Sequence, residues 1–166
     1  MILVDTDILS ALAKIDRLNL LFELFGVTRL QIVPSVLGEI QINIQEGRNF
    51  AQKILDLIAN GQLEVVDLPE RATVSKHIVP NNFGIGERDS VLIAQENNAL
   101  LLSNESRVEH FCREKGIAYA SLSSILRSLR INRFLSIDEL RQVVADLETK
   151  DRMKFNIQTI ETIFEN

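Results

Sequence analysis

Short, mainly apolar runs alternate with helix-length segments along most of this 166-residue chain. Residues 2–4, 30–33, 63–66, 100–103 and 117–119 are too short for amphipathic helices and read as strands. Helices are expected between them. One passes through Ile8, Leu9 and Leu12, with Asp7 as its N-cap. A second covers Leu18 to Phe25 and stops at Gly26. Pro34 suits the first turn of a third, which carries Glu39 and ends near Gln45. Phe50 to Ala59 repeats apolar residues at helical spacing and closes at Asn60-Gly61. Further helices are expected over Glu87–Glu96, Glu105–Lys115 and Ser121–Arg130. Ser136 and Glu139 form a capping box for a helix to about Leu147, and a last helix covers Phe155–Phe164. The segment 69–83 holds two of the three prolines and fits neither pattern well; a short helix around Arg71–His77 is the best assignment. Strands separated by helices imply βα units. The expected fold is therefore α/β, a three-layer α/β/α sandwich with a mainly parallel central sheet. No repeat or linker interrupts it, and residues 136–166 read as a helical C-terminal extension of the same domain.

Composition narrows the chemistry. The single Cys112 excludes an internal disulfide and a cysteine-cluster zinc site. His77 and His110 are the only histidines, too few for a histidine-rich metal centre. A metal would be held by oxygen, which points to Mg²⁺ or Mn²⁺. The net charge of −5 argues against a general DNA-coating protein, and the absence of Trp argues against recognition by aromatic stacking. The N-terminus has no basic region followed by a long apolar run, so no signal peptide is read, and a cytoplasmic location is expected.

Four acidic stretches sit where strands end or helices begin. They contain Asp5, Glu39, Glu87 with Asp89, and Glu105. In a parallel sheet, ligands bind beyond the carboxyl ends of the strands. Asp5 directly follows the first strand, and Glu105 lies just past the fourth. Glu87 and Asp89 open a helix, whose N-terminal dipole favours negative charge. Glu39, about a turn and a half into its helix, reaches the same edge. Gathering such carboxylates is costly without compensating charge. One or two divalent ions would supply that charge and would suit phosphodiester hydrolysis.

These residues resemble the motifs of the PIN domain, the fold of VapC-type toxin ribonucleases. VDTDILSAL is similar to that family's opening strand–Asp–helix motif, with Asp5 the matching acid. IVPSVLGEI is similar to the second motif, with Glu39. GERDSVLIAQE resembles the third, with Asp89 the best match and Glu87 an extra acid of a Gly-Glu-x-acid subgroup. ALLLSNESRV resembles the fourth, with Glu105 where Asp is usual. The resemblance covers roughly residues 1–130, and the arginine-rich tail also resembles that subgroup. It implies a nuclease domain over residues 1–135. It also implies Mg²⁺- or Mn²⁺-dependent cleavage of RNA, a homodimer, and a small antitoxin that inserts into the cleft. The expected metal ligands are Asp5, Glu39, Asp89 and Glu105, with Glu87 auxiliary. The alternative is a catalytically weak or inactive PIN-like module that binds RNA or a protein partner.

Other residues carry two readings each. Arg127, Arg130 and Arg133 form either a phosphate-binding stripe or, more simply, a solvated helix face. Arg88 and Arg107 flank the acids and either hold phosphate or balance charge. Ser103 and Asn104 either bond a metal-bound water or cap the Glu105 helix. His77 and His110 are expected to be structural or exposed, and Cys112 a core residue.

Overall fold

The computed structural model describes residues 1–68 and 79–165. Its strands are β1 (Ile2–Val4), β2 (Leu30–Ile32), β3 (Leu63–Val65), β4 (Leu100–Leu102) and β5 (Tyr119–Ala120). All pair in parallel, in the order β3-β2-β1-β4-β5. Leu3 lies opposite Gln31 on one side and Leu101 on the other, so β1 is central. Leu3, Leu30, Ile32, Leu101 and Leu102 are fully buried, as a sheet covered on both faces requires.

Among the described residues the helices are α1 (Thr6–Lys14), α2 (Asn19–Phe25), α3 (Pro34–Gln45), α4 (Asn49–Ala59), α5 (Ile85–Asn97), α6 (Ser106–Lys115), α7 (Leu122–Ile131), α8 (Ile137–Lys150) and α9 (Ile157–Phe164). The chain steps from β1 to β2 to β3, then returns past β1 to β4 and on to β5. Right-handed crossovers place α1, α3 and α4 on one face and send α5 and α6 to the other. Helix α1 packs on α4 and α3, α5 packs on β1, β4 and α6, and α3 and α5 also meet each other. This is the expected three-layer α/β/α arrangement. The reversal leaves a switch point between β1 and β4, where the carboxyl ends of adjacent strands diverge and a ligand crevice forms.

Element ends differ from expectation where caps are ambiguous. Asp5, not Asp7, is the N-cap of α1, its side chain accepting from the Thr6 N–H. Helix α5 starts at Ile85, two residues before Glu87, and β5 begins later than expected, at Tyr119. Gly26 and Gly116 end α2 and α6 at φ 61° and 67°, the left-handed conformation that glycine adopts at low cost. The expected short helix around Arg71–His77 lies outside the described residues.

The C-terminal helices share the core. Helix α8 buries Leu140, Val143, Val144 and Leu147, packs on α1 and α7, and starts at the Ser136–Glu139 capping box. Lys14 of α1 pairs with Asp151 just after α8. Helix α9 lies on α7 and buries Ile163, whose carbonyl accepts from Arg130 Nε at 3.3 Å. Among the described residues, no helix is long and apolar enough to cross a membrane.

Truncating Leu3 at the centre of the sheet should remove about 2–5 kcal/mol of stability. Losing the α8 cap in Ser136→Ala should cost about 1 kcal/mol. Urea unfolding of both variants checks the difference.

Candidate active site at the β1–β4 switch point

Asp5 follows β1 directly and Ser103 follows β4 directly. The Asp5 N–H donates to the Leu102 carbonyl at 2.9 Å, continuing the β1–β4 ladder by one residue. Its side chain then ties the two strand ends together: Oδ1 accepts from the Thr6 N–H at 2.8 Å and Oδ2 from Ser103 Oγ at 3.0 Å. Asp5 is only 7% exposed. Burial, with the charges of Asp7 and Glu39 adding to it, pushes its carboxyl up to about 6, and the two hydrogen bonds offset this only in part.

Helix α3 delivers Glu39, whose Oε2 accepts from the Thr6 hydroxyl. Thr6 therefore links α1 to α3 across the cleft. A Cβ added at Gly86 would stand 3.1 Å from Glu39 Oε1 and 3.6 Å from Val36 Cγ2. Glycine at this position lets α5 approach Glu39 closely.

Glu87 occupies the first turn of α5. Its Oε2 accepts from the Gly84 N–H at 2.7 Å, which closes the helix start, and its Oε1 accepts from Arg107 Nη2 at 2.8 Å. Arg107, on α6, also donates through Nη1 to the Asn82 carbonyl at 3.1 Å and places Nε 3.8 Å from Glu105 Oε2. Asp5, Thr6, Asp7, Glu39, Gly84, Gly86 and Glu87 line a cleft of about 190 Å³. Asp7 is held above the usual carboxylate range by loss of solvent, then by Asp151 and Glu87. Glu105 shifts the same way through burial, then Glu87 and Asp7, and it shares a hydrogen bond with Asp7.

The structure places the remaining candidates elsewhere. Asp89 is buried and does not line the cleft; it faces α3, where its Oδ2 accepts from Ser35 Oγ at 2.9 Å. Its Oδ1 is buried with no hydrogen-bond partner. Glu105 stands at the N-cap position of α6 without capping it, beside Arg107. Ser103 bonds Asp5 and accepts from the Glu105 N–H at 3.4 Å, and Asn104 is exposed. Arg88 has a buried Nε with no partner. The three tail arginines do not form a common stripe. Arg130 turns to α9, Arg127 buries its Nε, and Arg133 lies past the end of α7 at φ 62°. His110 is exposed beside Glu114, and His77 lies outside the described residues. Cys112 is buried, which pushes its thiol up to about 11.

The sequence pattern did not single out Thr6 or Gly86, and it treated Asp7 as a cap. The Asp-Thr-Asp run carried the signal for Asp7 and Thr6. With Asp5 capping α1, Thr6 and Asp7 fall in the first helical turn, close to the crevice.

The donor set fits a hard divalent cation: it consists of carboxylate and hydroxyl oxygens, and the partnerless Asp89 Oδ1 is a buried anion's oxygen with no donor. Among the described residues, no three His, Cys, Asp or Glu side chains already stand together as a metal site. Asp5 and Glu39 present oxygens to the cleft, whereas Arg107 engages Glu87 and lies against Glu105.

The fold has a known counterpart. A chain in the crystal structure of VapBC2 from Rickettsia felis, bound to a DNA fragment from their promoter, superposes with a TM-score of 0.54. The two are 20% identical, and the match covers 73% of this chain and 98% of that one. No protein of curated function matches. The PIN domain family model matches residues 1–166, its whole length, and the chain belongs to the PIN domain family.

Proposed function

We propose that this protein is a metal-dependent endoribonuclease that hydrolyses RNA phosphodiester bonds, and that it is the toxin of a type II toxin–antitoxin pair. The observation that carries the reading is the cleft at the β1–β4 switch point, where α1, α3 and α5 bring Asp5, Asp7, Glu39 and Glu87 together. PIN domains are generally nucleases that use divalent metal ions. Asp5 and Glu39 would hold Mg²⁺ or Mn²⁺ at the cleft, while Asp89 lies behind it against Ser35 and Arg107 engages Glu87 and approaches Glu105. When bound, such an ion lowers the pKa of a water and takes up charge on the leaving oxygen.

The chain's own residues do the rest. Ser103 and the Thr6 N–H fix the Asp5 carboxylate at the end of β1. Thr6 fixes Glu39 through its hydroxyl. Gly84 and Gly86 keep the cleft wall free of side chains, leaving room for a phosphodiester. The acid next to an attacking water accepts its proton.

The same reading has residues 1–135 as the nuclease domain and 136–166 as its helical extension, supported by the α8 side chains buried in the shared core. It takes the protein to be a cytoplasmic homodimer with a small antitoxin in the cleft. The Rickettsia felis structure, a VapBC2 assembly on promoter DNA, supports the search for that partner. The second reading is a catalytically weak or inactive module that binds RNA or a protein. It is favoured by Arg107, which already engages Glu87 and approaches Glu105.

RNA cleavage with added Mn²⁺ separates the two readings. Asp5→Asn should lose about a hundredfold or more of the wild-type rate, since it removes a metal-facing charge from the reacting centre. Equal rates for the two proteins, or no Mn²⁺ bound at millimolar concentration, would rule out the nuclease.

The same substitution should have the opposite effect on stability. The folded pKa of Asp5, about 6, lies above its unfolded value of about 3.9. Its contribution is therefore fully present below pH 4 and is lost as pH rises through 6. At pH 7.5 the ionised carboxylate costs the metal-free fold on the order of 2–3 kcal/mol. Asp5→Asn should raise the metal-free melting temperature at pH 7.5 and change it little at pH 4, as followed by thermal denaturation in chelator.

A further inference from the structure

We propose that Arg107 is a resident cation of the acidic cleft. It holds Glu87 and Glu105 where a second metal ion would otherwise bind, so that the chain takes one divalent ion, on the Asp5–Glu39 side. This inference rests on the metal-dependent reading above.

The guanidinium is held on three sides. Nη2 lies 2.8 Å from Glu87 Oε1, Nη1 donates to the Asn82 carbonyl at 3.1 Å, and Nε lies 3.8 Å from Glu105 Oε2. The Asn82 carbonyl matters most. It is a neutral acceptor in the loop before α5, so the arginine is positioned by backbone and not only drawn in by charge. The Glu87 side chain is 11% exposed, and its other oxygen accepts from the Gly84 N–H. The donor to Oε1 is a guanidinium that offsets the carboxylate's charge, which weakens Glu87 as a ligand to an incoming ion. Glu105 is held between Arg107 and Asp7.

The other acids differ. Among the described residues, Asp5, Glu39 and Asp89 accept hydrogen bonds from hydroxyls or a backbone N–H and meet no cation. Asp89 keeps one oxygen with no partner at all. Glu87 and Glu105 thus meet a side-chain cation, and Asp5, Glu39 and Asp89 do not. An arginine suits this role because its charge is permanent and its planar donors match both carboxylate and phosphate oxygens.

Calorimetric titration of Mn²⁺ into the metal-free full chain tests this. The wild type should take one ion, Arg107→Gln should take a second, and Arg107→Lys should remain at one. Circular dichroism confirms folding, which is expected because an ion pair this exposed contributes little to stability. Should Arg107→Gln fail to fold, Arg107→Ala provides the same test. A wild type that takes two ions overturns the inference, as does a neutral Arg107 variant that still takes one. A wild type that takes none at millimolar Mn²⁺ overturns the metal-dependent reading itself, and this inference with it.

Discussion

The hydrogen bond from Ser103 Oγ to Asp5 Oδ2 joins the two strand ends on which the whole site depends. β1 and β4 are neighbours in space but 98 residues apart at this contact. They diverge at the switch point, because the chain leaves β1 toward one face and β4 toward the other. A buried carboxylate placed there must be satisfied by both strands. Asp5 achieves this through the Thr6 N–H and the Ser103 hydroxyl, while its own backbone N–H donates to the Leu102 carbonyl. Once Asp5 is fixed, the parallel order of the sheet brings the starts of α1, α3 and α5 to the same edge. The acids Asp5, Asp7, Glu39 and Glu87, carried at or near those starts, then line one cleft without any local sequence signal linking them.

Much of this could be read from the sequence, because the strong signals are local. An aliphatic strand ending in Asp, a proline opening a helix, and glycines closing others each act within a few residues. These signals located the β1 edge, the α3 helix and Asp5 itself. Ambiguity entered where two adjacent residues could serve the same role. Asp5 and Asp7 both suit an N-cap, and placing the start of α1 two residues late hid Asp7 and Thr6 from the cleft. Glu87 and Asp89 posed a related problem. Two residues along a helix rotate a side chain by about 200°, so both cannot face one crevice. Glu87 faces the cleft and Asp89 faces Ser35. The fate of Arg130 could not be read locally, because the carbonyl it caps lies 33 residues away.

Glu105 shows how far one methylene reaches. An Asp at this position would keep its carboxyl close to the α6 start. The longer Glu carries its carboxyl out to Arg107 and Asp7 instead, and it stays off the cleft lining. The same extra reach works in the opposite sense for Glu39, whose arm spans from α3 to the Thr6 hydroxyl. Glu at these two positions is thus not equivalent. One brings its carboxylate into the crevice, and the other takes its carboxylate to a neighbouring guanidinium.

The energetic consequence is a coupling between folding and metal. The raised pKa of Asp5 means that its ionised form destabilises the metal-free fold. A cation that binds the folded site and not the unfolded chain returns stability in proportion to the logarithm of its concentration over its dissociation constant. Arg107 limits how much of that return is available, because the charge on Glu87 is already offset within the chain. The acids left without a cation, Asp5 and Glu39 at the cleft and Asp89 behind it, are then the ones whose repulsion a bound ion relieves. The strongest unmet demand for a cation therefore lies beside Asp5, the residue that follows β1.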